Sequence, residues 1–158
     1  MIRSVEPGDF AEWDALWRGY QTFYEVAIAP ETTQVTWQRL LDPAEPMWGA
    51  LAIHEGRAVG LVHMIRHRST WTVSDYCYLQ DLFVDEAVRG RGIARRLIAH
   101  VYEAAAGLGC SRVYWLTHET NATARALYDR VADRSGFIQY RKLLEAISPA
   151  AAPPEDTA

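Results

Sequence analysis

The chain has 158 residues, of which 49% are hydrophobic and 23% charged, and its formal net charge is −4. This length suits one folded domain, which can bury a sizeable core without disulfide or metal cross-links. The balanced composition excludes a chain that is disordered throughout, and the negative net charge argues against a nucleic-acid partner. An anion site in this protein must therefore be a local cluster of basic residues.

Two features of the sequence bear on location. The segment from Met1 to Phe10 has no basic stretch followed by an apolar run, and no apolar run approaches the length of a membrane span. We therefore expect no signal peptide and no membrane partner. The two cysteines, Cys77 and Cys110, lack metal-binding spacing and are interpreted as small buried side chains. Together these features predict a cytoplasmic protein.

The first half of the chain predicts one strand, two helices and three further strands. Ile2 to Val5 is a short strand, and apolar residues then recur at helical spacing from Phe10 to Tyr24. A second helix is predicted from Pro30 to Leu41, with Val35, Trp37, Leu40 and Leu41 as its apolar members. The three strands are separated by turn-forming or looser segments and cover Trp48 to His54, Ala58 to His67 and Tyr76 to Val84.

The second half predicts a long helix that begins at Ile93 and ends near Gly107. A strand from Arg112 to Thr117, a helix from Asn121 to Arg134 and a last strand from Phe137 to Leu143 follow. Residues 148–158 are rich in proline and acidic side chains, which predicts a disordered tail after a single domain at 1–147. The order of elements indicates an α/β fold, a mixed sheet with helices on both faces.

A loop with the sequence Arg89-Gly90-Arg91-Gly92-Ile93-Ala94 lies between a predicted buried strand and the long helix. Its glycines let the backbone turn sharply and approach a ligand, and the helix N-terminus offers unpaired N–H groups to an anion. Four arginines add positive charge there, namely Arg89, Arg91, Arg95 and Arg96. A pyrophosphate site is the favoured interpretation, and a glycine turn with solvated arginines is the alternative.

Two common phosphate loops do not match this segment. A P-loop requires a lysine, and the only lysine in the chain is Lys142. The dinucleotide-binding fingerprint requires glycine or alanine where this chain has Arg95.

The pattern Arg89-x-x-Gly92-x-Ala94 resembles the acetyl-CoA pyrophosphate loop of GNAT acetyltransferases. A second block, which begins at Asn121 and includes Tyr128 and Gly136-Phe137, is also similar to this family and in particular to its histone/polyamine branch. The resemblance implies a mainly antiparallel central sheet and acetyl-CoA as the co-substrate. It further implies that the cofactor is bound by the strand end, the loop and the last helix, at Leu82, Phe83, Val84, Arg89, Gly90, Arg91, Gly92, Ile93, Ala94, Arg95 and Asn121.

The resemblance also implies catalytic roles. Tyr128 matches the family residue that serves the leaving thiolate, and a core tyrosine is the alternative. Asp81 lies where family members carry acidic residues, so it either accepts the proton of the amine or orders the backbone. The related polyamine enzymes have a glutamate where this chain has Gln80, and a glutamine side chain cannot act as a base. His118, just past a predicted strand, is a further candidate base. Asn121 either bonds the pantetheine arm or caps its helix, and no metal site is expected.

The resulting expectation is an N-acetyltransferase that transfers acetyl from acetyl-CoA to a primary amine, most readily a small molecule. Aromatic residues of the first two helices could line a pocket for a cationic amine, with Asp14 or Glu25 supplying charge. Two alternatives stay open: a protein or peptide N-acetyltransferase, and an inactive acyl-CoA-binding sensor module. The family usually has two strands after the Gly136-Phe137 motif and this chain has one, so a homodimer that completes the sheet is also expected.

Overall fold

The computed structural model describes residues 1–144, which form five strands and four helices. Along the chain, two helices lie between the first and second strands, and a long third helix lies between the last two strands. In chain order the elements are β1 (Ile2–Ser4), α1 (Phe10–Phe23), α2 (Pro30–Leu41), β2 (Met47–His54), β3 (Arg57–His67), β4 (Tyr76–Val84), α3 (Ile93–Gly107), β5 (Arg112–Tyr114) and α4 (Ala122–Tyr128).

The five strands form one sheet in the order β1-β2-β3-β4-β5. The first three pairings are antiparallel, and β4 pairs with β5 in parallel. The register between β3 and β4 shifts after His63, because Met64 pairs with Leu79 and His63 pairs with Asp81. Gln80 is therefore the extra residue of a β-bulge, and such bulges change the direction of neighbouring side chains.

Helices cover both faces of the sheet, as the fold class predicts. α3 packs on one face with Leu97 and Val101 completely buried. On the other face, Trp13 and Trp17 of α1 pack with Trp37 of α2 against the sheet. The helical spacing of these apolar residues thus corresponds to two separate hydrophobic layers, each of which removes one face of the sheet from water.

Val35, one of the apolar residues expected in α2, does not belong to the buried face of that helix. The buried residues of α2 are Thr33, Trp37 and Leu40, whereas Val35 is 43% exposed. Positions four and seven residues apart share a helix face, and Val35 is only two residues from both Thr33 and Trp37. The bulk of Trp37 determines which face of the helix is buried.

The predictions for the C-terminal third need correction. β5 ends at Tyr114 rather than Thr117, and α4 ends at Tyr128 rather than Arg134. The last strand, predicted from Phe137 to Leu143, is wrong, because residues 137–144 have no regular secondary structure and their apolar side chains are exposed. A strand forms only where a partner backbone satisfies its N–H and C=O groups, and apolar composition alone does not supply one.

The predicted tail at 148–158 lies outside the described residues. Within residues 1–144, no helix is both long enough and apolar enough to cross a membrane.

Candidate active site

A gap opens in the sheet between β4 and β5. The two strands pair only over Tyr76–Tyr78 and Arg112–Tyr114, and the rest of β4 continues without β5 beside it. Leu82, Phe83 and Val84 pair with β3 on their other side, so the backbone of this segment borders the gap. An open strand edge of this kind can hydrogen-bond an extended ligand that carries amide groups.

The N-terminus of α3 lies just beyond the end of β4 and has no side-chain cap. Gly92 is the N-cap residue, and the first turn contains no acidic side chain. Gly90 and Gly92 have φ values of +79° and +73°, a conformation that side chains with a Cβ rarely adopt. Unpaired N–H groups and the positive end of the helix dipole therefore remain available for an anion. These features fit the pyrophosphate of acetyl-CoA.

The residues of this loop differ in what they offer. Ile93 is buried in the core, and Ala94 packs against that core, so both present only their backbone to the loop. The Arg89 side chain donates to the Val84 carbonyl and to the Glu86 carboxylate, and its guanidinium lies over the Phe23 ring. Arg89 thus ties the loop to β4 and α1.

The other arginines surround the helix start. A guanidinium nitrogen of Arg91 lies 3.1 Å from Nε2 of His54. Arg95 and Arg96 lie exposed in the first turn of α3. Their positive charges lie near the N–H groups at the start of α3.

Asn121 is the N-cap of α4. Its side-chain oxygen accepts a hydrogen bond from the backbone N–H of Ala124 at 3.2 Å. The capping role considered for this residue is therefore confirmed, and the side-chain amide N–H₂ group is not used by that bond.

Tyr128 is the last residue of α4 and lies on the far side of the gap. Its ring packs edge-on against Trp115 with a centroid separation of 5.3 Å. Burial raises the pKa of the Tyr128 phenol to about 12, and Tyr24 contributes to this shift. The hydroxyl therefore keeps its proton at neutral pH, as a hydrogen-bond donor to a thiolate must.

Asp81 is buried on the opposite face of β4, toward α1. Its Oδ2 lies 3.0 Å from Nδ1 of His63, and Nε2 of His63 lies 2.8 Å from the indole nitrogen of Trp13. His63 is not among the site residues predicted from the sequence. The available signal was an imidazole within the apolar run of β3, because a buried polar side chain requires a partner.

A group of aromatic side chains, which we call the aromatic wall, extends from Trp17 through Tyr20 to Tyr24. Successive ring centroids in this wall are 5.0 and 4.8 Å apart. Burial, followed by the nearby charge of Asp81, raises the pKa of both Tyr20 and Tyr24. Tyr24 is thus affected by Asp81 and itself contributes to the raised pKa of Tyr128, after burial in each case.

The remaining candidates lie elsewhere or have other partners. Asp14, expected to supply charge to an amine pocket, forms an ion pair with Arg18 at 2.7 Å. His118 is exposed and its imidazole contacts the Thr120 hydroxyl. Gln80, at the bulge, is also exposed. Asp81 is therefore the carboxylate that borders the aromatic wall.

Comparisons with known proteins agree with this geometry. A D-amino-acid N-acetyltransferase of Saccharomyces cerevisiae is 37% identical over 144 residues, which cover 90% of this chain and 89% of the relative. Among solved structures, a ribosomal-protein-alanine N-acetyltransferase from Brucella melitensis superposes with a TM-score of 0.75 at 21% identity, covering 91% of this chain and 99% of that one. An aminoglycoside N-acetyltransferase in complex with CoA superposes with a TM-score of 0.70 at 20% identity, covering 91% and 100%.

These structural neighbours share the fold, including the sheet and the helices on both faces. Residues 13–132 match the acetyltransferase (GNAT) family, a range that includes Asp81, the loop at 89–94 and Tyr128. The chain belongs to the GNAT acetyltransferase family and is an acetyl-CoA-dependent N-acetyltransferase.

Proposed function

We propose that this enzyme acetylates a small primary amine, that Asp81 binds and deprotonates its ammonium group, and that Tyr128 serves the leaving thiolate. The observation that carries the proposal is the buried carboxylate of Asp81 at the base of the aromatic wall, 8% exposed and next to the gap between β4 and β5. Aromatic faces attract organic cations, and a carboxylate beside them supplies the opposite charge. The D-amino-acid substrate in the name of the yeast relative supports a small amine.

Asp81 supplies the first chemical requirement of the reaction. An alkylammonium has a pKa of about 10.4, so nearly all of the amine is charged at neutral pH and cannot attack a carbonyl. The amine binds in its charged form beside Asp81, transfers a proton to the carboxylate or to a water that it holds, and then attacks the thioester. General base catalysis of this kind contributes about 10²- to 10⁴-fold in rate.

Tyr128 supplies the second requirement. A phenol with a pKa of about 12 holds its proton more tightly than an alkyl thiol, whose pKa is about 8.5. Tyr128 therefore stabilises the thiolate through a donated hydrogen bond as negative charge develops on sulfur, and complete proton transfer is not required. The hydroxyl acts mainly in the transition state, so it affects turnover more than binding.

Acetyl-CoA supplies the activated acetyl group. We assign its pyrophosphate to the backbone N–H groups of Gly90, Gly92 and Ile93 with charge from Arg91 and Arg95, and its pantetheine arm to the edge of Leu82–Val84. The side-chain amide of Asn121 is in position to hydrogen-bond the same arm while the oxygen caps α4. The uncapped N-terminus of α3 and the two positive φ values support this assignment.

Within the family, Leu79 to Val84 and Asn121 to Ala124 resemble the histone/polyamine branch. Gln80 replaces the second carboxylate of the polyamine enzymes, and a single buried carboxylate suits one ammonium group better than a polycation. We therefore favour amino acids and monoamines over polyamines as acceptors. A peptide acceptor is the second candidate, because the structural neighbour from Brucella is a ribosomal-protein-alanine N-acetyltransferase.

A panel of acceptors tests the proposal. CoA release is measured with D- and L-amino acids, monoamines, polyamines and short peptides at equal concentrations. We expect the highest kcat/KM with an amino acid or a monoamine. A preference for peptides would favour the second candidate, and no turnover with any acceptor despite acetyl-CoA binding would indicate a sensor module.

We further propose that the protein is a homodimer in which the segment at 137–144 packs on a second copy. This segment exposes Phe137, Ile138, Tyr140, Leu143 and Leu144. A cavity of about 400 Å³ is lined by Tyr114, Trp115 and Tyr128 and also by Phe137 and Ile138, so the start of the segment lies beside the β5 edge without pairing with it. An open edge beside exposed apolar residues favours pairing with another chain.

A further inference from the structure

A line of three hydrogen-bonded side chains joins α1, β3 and β4 beneath the aromatic wall. The indole N–H of Trp13 donates to Nε2 of His63 at 2.8 Å, and Nδ1 of His63 lies 3.0 Å from Oδ2 of Asp81. The exposed fractions are 0% for Trp13, 2% for His63 and 8% for Asp81. Water therefore cannot substitute for any of these contacts.

The position of the His63 proton follows from the nature of its partners. An indole nitrogen is only a donor, so Nε2 of His63 must present its lone pair to Trp13. The single ring proton of the neutral imidazole is then on Nδ1, where it is donated to the carboxylate of Asp81. A charged imidazolium would place two N–H groups against each other at 2.8 Å, between two buried side chains. Trp13 thus selects both the tautomer and the neutral state of His63.

This arrangement leaves Asp81 without a cationic partner from the protein. Within residues 1–144, its ion contact is with His63 alone, and that imidazole is neutral. A buried carboxylate that accepts hydrogen bonds but has no cation beside it can pair with a positive charge brought by a ligand.

The other groups that face the His63–Asp81 pair come from α1 and the turn after it, from β4 and from β2. Those that titrate are phenols, and the pKa of each is raised by burial and by the charge of Asp81. In the order of the elements, the facing residues are Trp17, Tyr20, Tyr24, Tyr78 and Gly49.

We propose that Trp13 and His63 are positioning residues that keep Asp81 oriented and without a protein cation, so that it pairs with the substrate ammonium. This inference rests on the proposed role of Asp81. It also determines where the proton of the amine goes: His63 does not receive it, because its Nε2 lone pair is held by Trp13. The proton leaves Asp81 for solvent.

The tautomer is tested directly by ¹⁵N NMR of the imidazole rings in the full-length protein. The His63 signals are identified by their loss in His63→Gln. We expect a protonated Nδ1 and an unprotonated Nε2 that do not change between pH 6 and pH 9. A proton on Nε2, or a charged ring in this range, would overturn the inference, and this measurement does not depend on activity.

The kinetic test uses Trp13→Phe, which removes the indole N–H and keeps an aromatic ring. Without the indole N–H, the Nε2 lone pair of His63 is free to take a second proton at low pH. The imidazolium competes with the substrate ammonium for Asp81. We expect the ratio of variant to wild-type kcat/KM to be about tenfold lower at pH 6 than at pH 9, mainly through KM of the amine.

The matched control is Trp37→Phe, which removes an indole from the same hydrophobic layer without touching His63. Its ratio to wild type should not vary with pH, and thermal melting confirms that both variants are folded. A pH-independent ratio for Trp13→Phe would refute the positioning role. Retained activity in Asp81→Asn would instead refute the role of Asp81, so the two failures are distinguishable.

Discussion

At the scale of single residues, the proposed chemistry depends on two groups, Tyr128 and Asp81. Tyr128 is shielded by Trp115, and Asp81 is held by His63. Burial favours the neutral form of the Tyr128 phenol, and the Asp81 carboxylate accepts from His63. The proposed site thus combines a hydrogen-bond donor for the thiolate with an acceptor for the proton of the amine.

The first prediction concerns Tyr128→Phe. The substitution keeps the ring and its contact with Trp115 and removes one O–H group. We expect kcat to fall about 10- to 1,000-fold, while acetyl-CoA binding measured by calorimetry is nearly unchanged. The pKa of Tyr128 is about 12, so its hydroxyl stays protonated between pH 8 and pH 10. Any change in wild-type activity over this range should therefore not come from ionisation of Tyr128.

The control for this experiment is Tyr102→Phe. The Tyr102 hydroxyl donates to the Val131 carbonyl at 2.8 Å, so its removal should cost about 1 kcal/mol of stability and leave turnover near normal. If Tyr128→Phe behaves like this control, with a lower melting temperature and unchanged kcat, the role in catalysis is refuted.

The second prediction concerns Asp81→Asn. The amide oxygen can still accept from Nδ1 of His63, so the fold should survive while the negative charge is lost. We expect kcat/KM to fall about 10²- to 10⁴-fold at pH 7. The deficit should shrink as pH rises toward the pKa of the amine, because more substrate is already deprotonated. A deficit that is constant from pH 7 to pH 10 would contradict the role as base.

At the scale of elements, the cofactor site depends on how α3 begins. α4 starts with a side-chain cap from Asn121, whereas α3 starts at Gly92 in the left-handed conformation and without one. A Cβ on Gly92 would have no atom within 4 Å, so the glycine is required by its φ of +73° rather than by crowding within the protein. The uncapped N–H groups are then free for phosphate oxygens.

The third prediction is that Gly92→Ala weakens acetyl-CoA binding at least tenfold in calorimetric titration. Alanine disfavours the left-handed conformation by about 1 kcal/mol, and the loop that carries the N–H groups must then shift. Gly107→Ala at the other end of α3 is the control, because Gly107 has an ordinary φ and open space around its Cα. Equal affinities of the two variants for acetyl-CoA would refute the assignment of the pyrophosphate.

At the scale of the whole molecule, the segment at 137–144 is apolar and exposed and does not pair with any strand of the sheet. Five large apolar side chains are exposed there, and β5 forms the adjacent edge of the sheet. Full burial of one such side chain contributes about 1.5–3 kcal/mol of favourable free energy, which favours binding of a second copy over the segment.

The fourth prediction is that the wild-type protein sediments as a dimer and that Ile138→Asn combined with Phe137→Ser makes it monomeric. These changes remove exposed apolar surface and should leave the melting temperature of the monomer unchanged. Val73→Ser is the control, because Val73 is also fully exposed but lies in the loop between β3 and β4. A monomeric wild type at micromolar concentration would refute the proposed homodimer.

The sequence predicted the parts of the molecule that are determined by neighbours along the chain. The apolar repeats of α1 and α3 correspond to helices, and the glycines before Ile93 correspond to positive φ values at a helix start. The failure at Phe137 to Leu143 has the opposite cause, since a strand depends on a partner backbone that is distant in sequence or belongs to another chain.

The candidate site divides in the same way. The loop at 89–94 and the acetyltransferase family could be recognised from the sequence, because a phosphate is bound largely by backbone groups whose geometry glycine spacing determines. The contact of Trp13 with His63 and that of His63 with Asp81 span 50 and 18 residues, and the second depends on the bulge at Gln80. Only the register of β3 on β4, and the packing of α1 above both, brings these side chains within hydrogen-bonding distance.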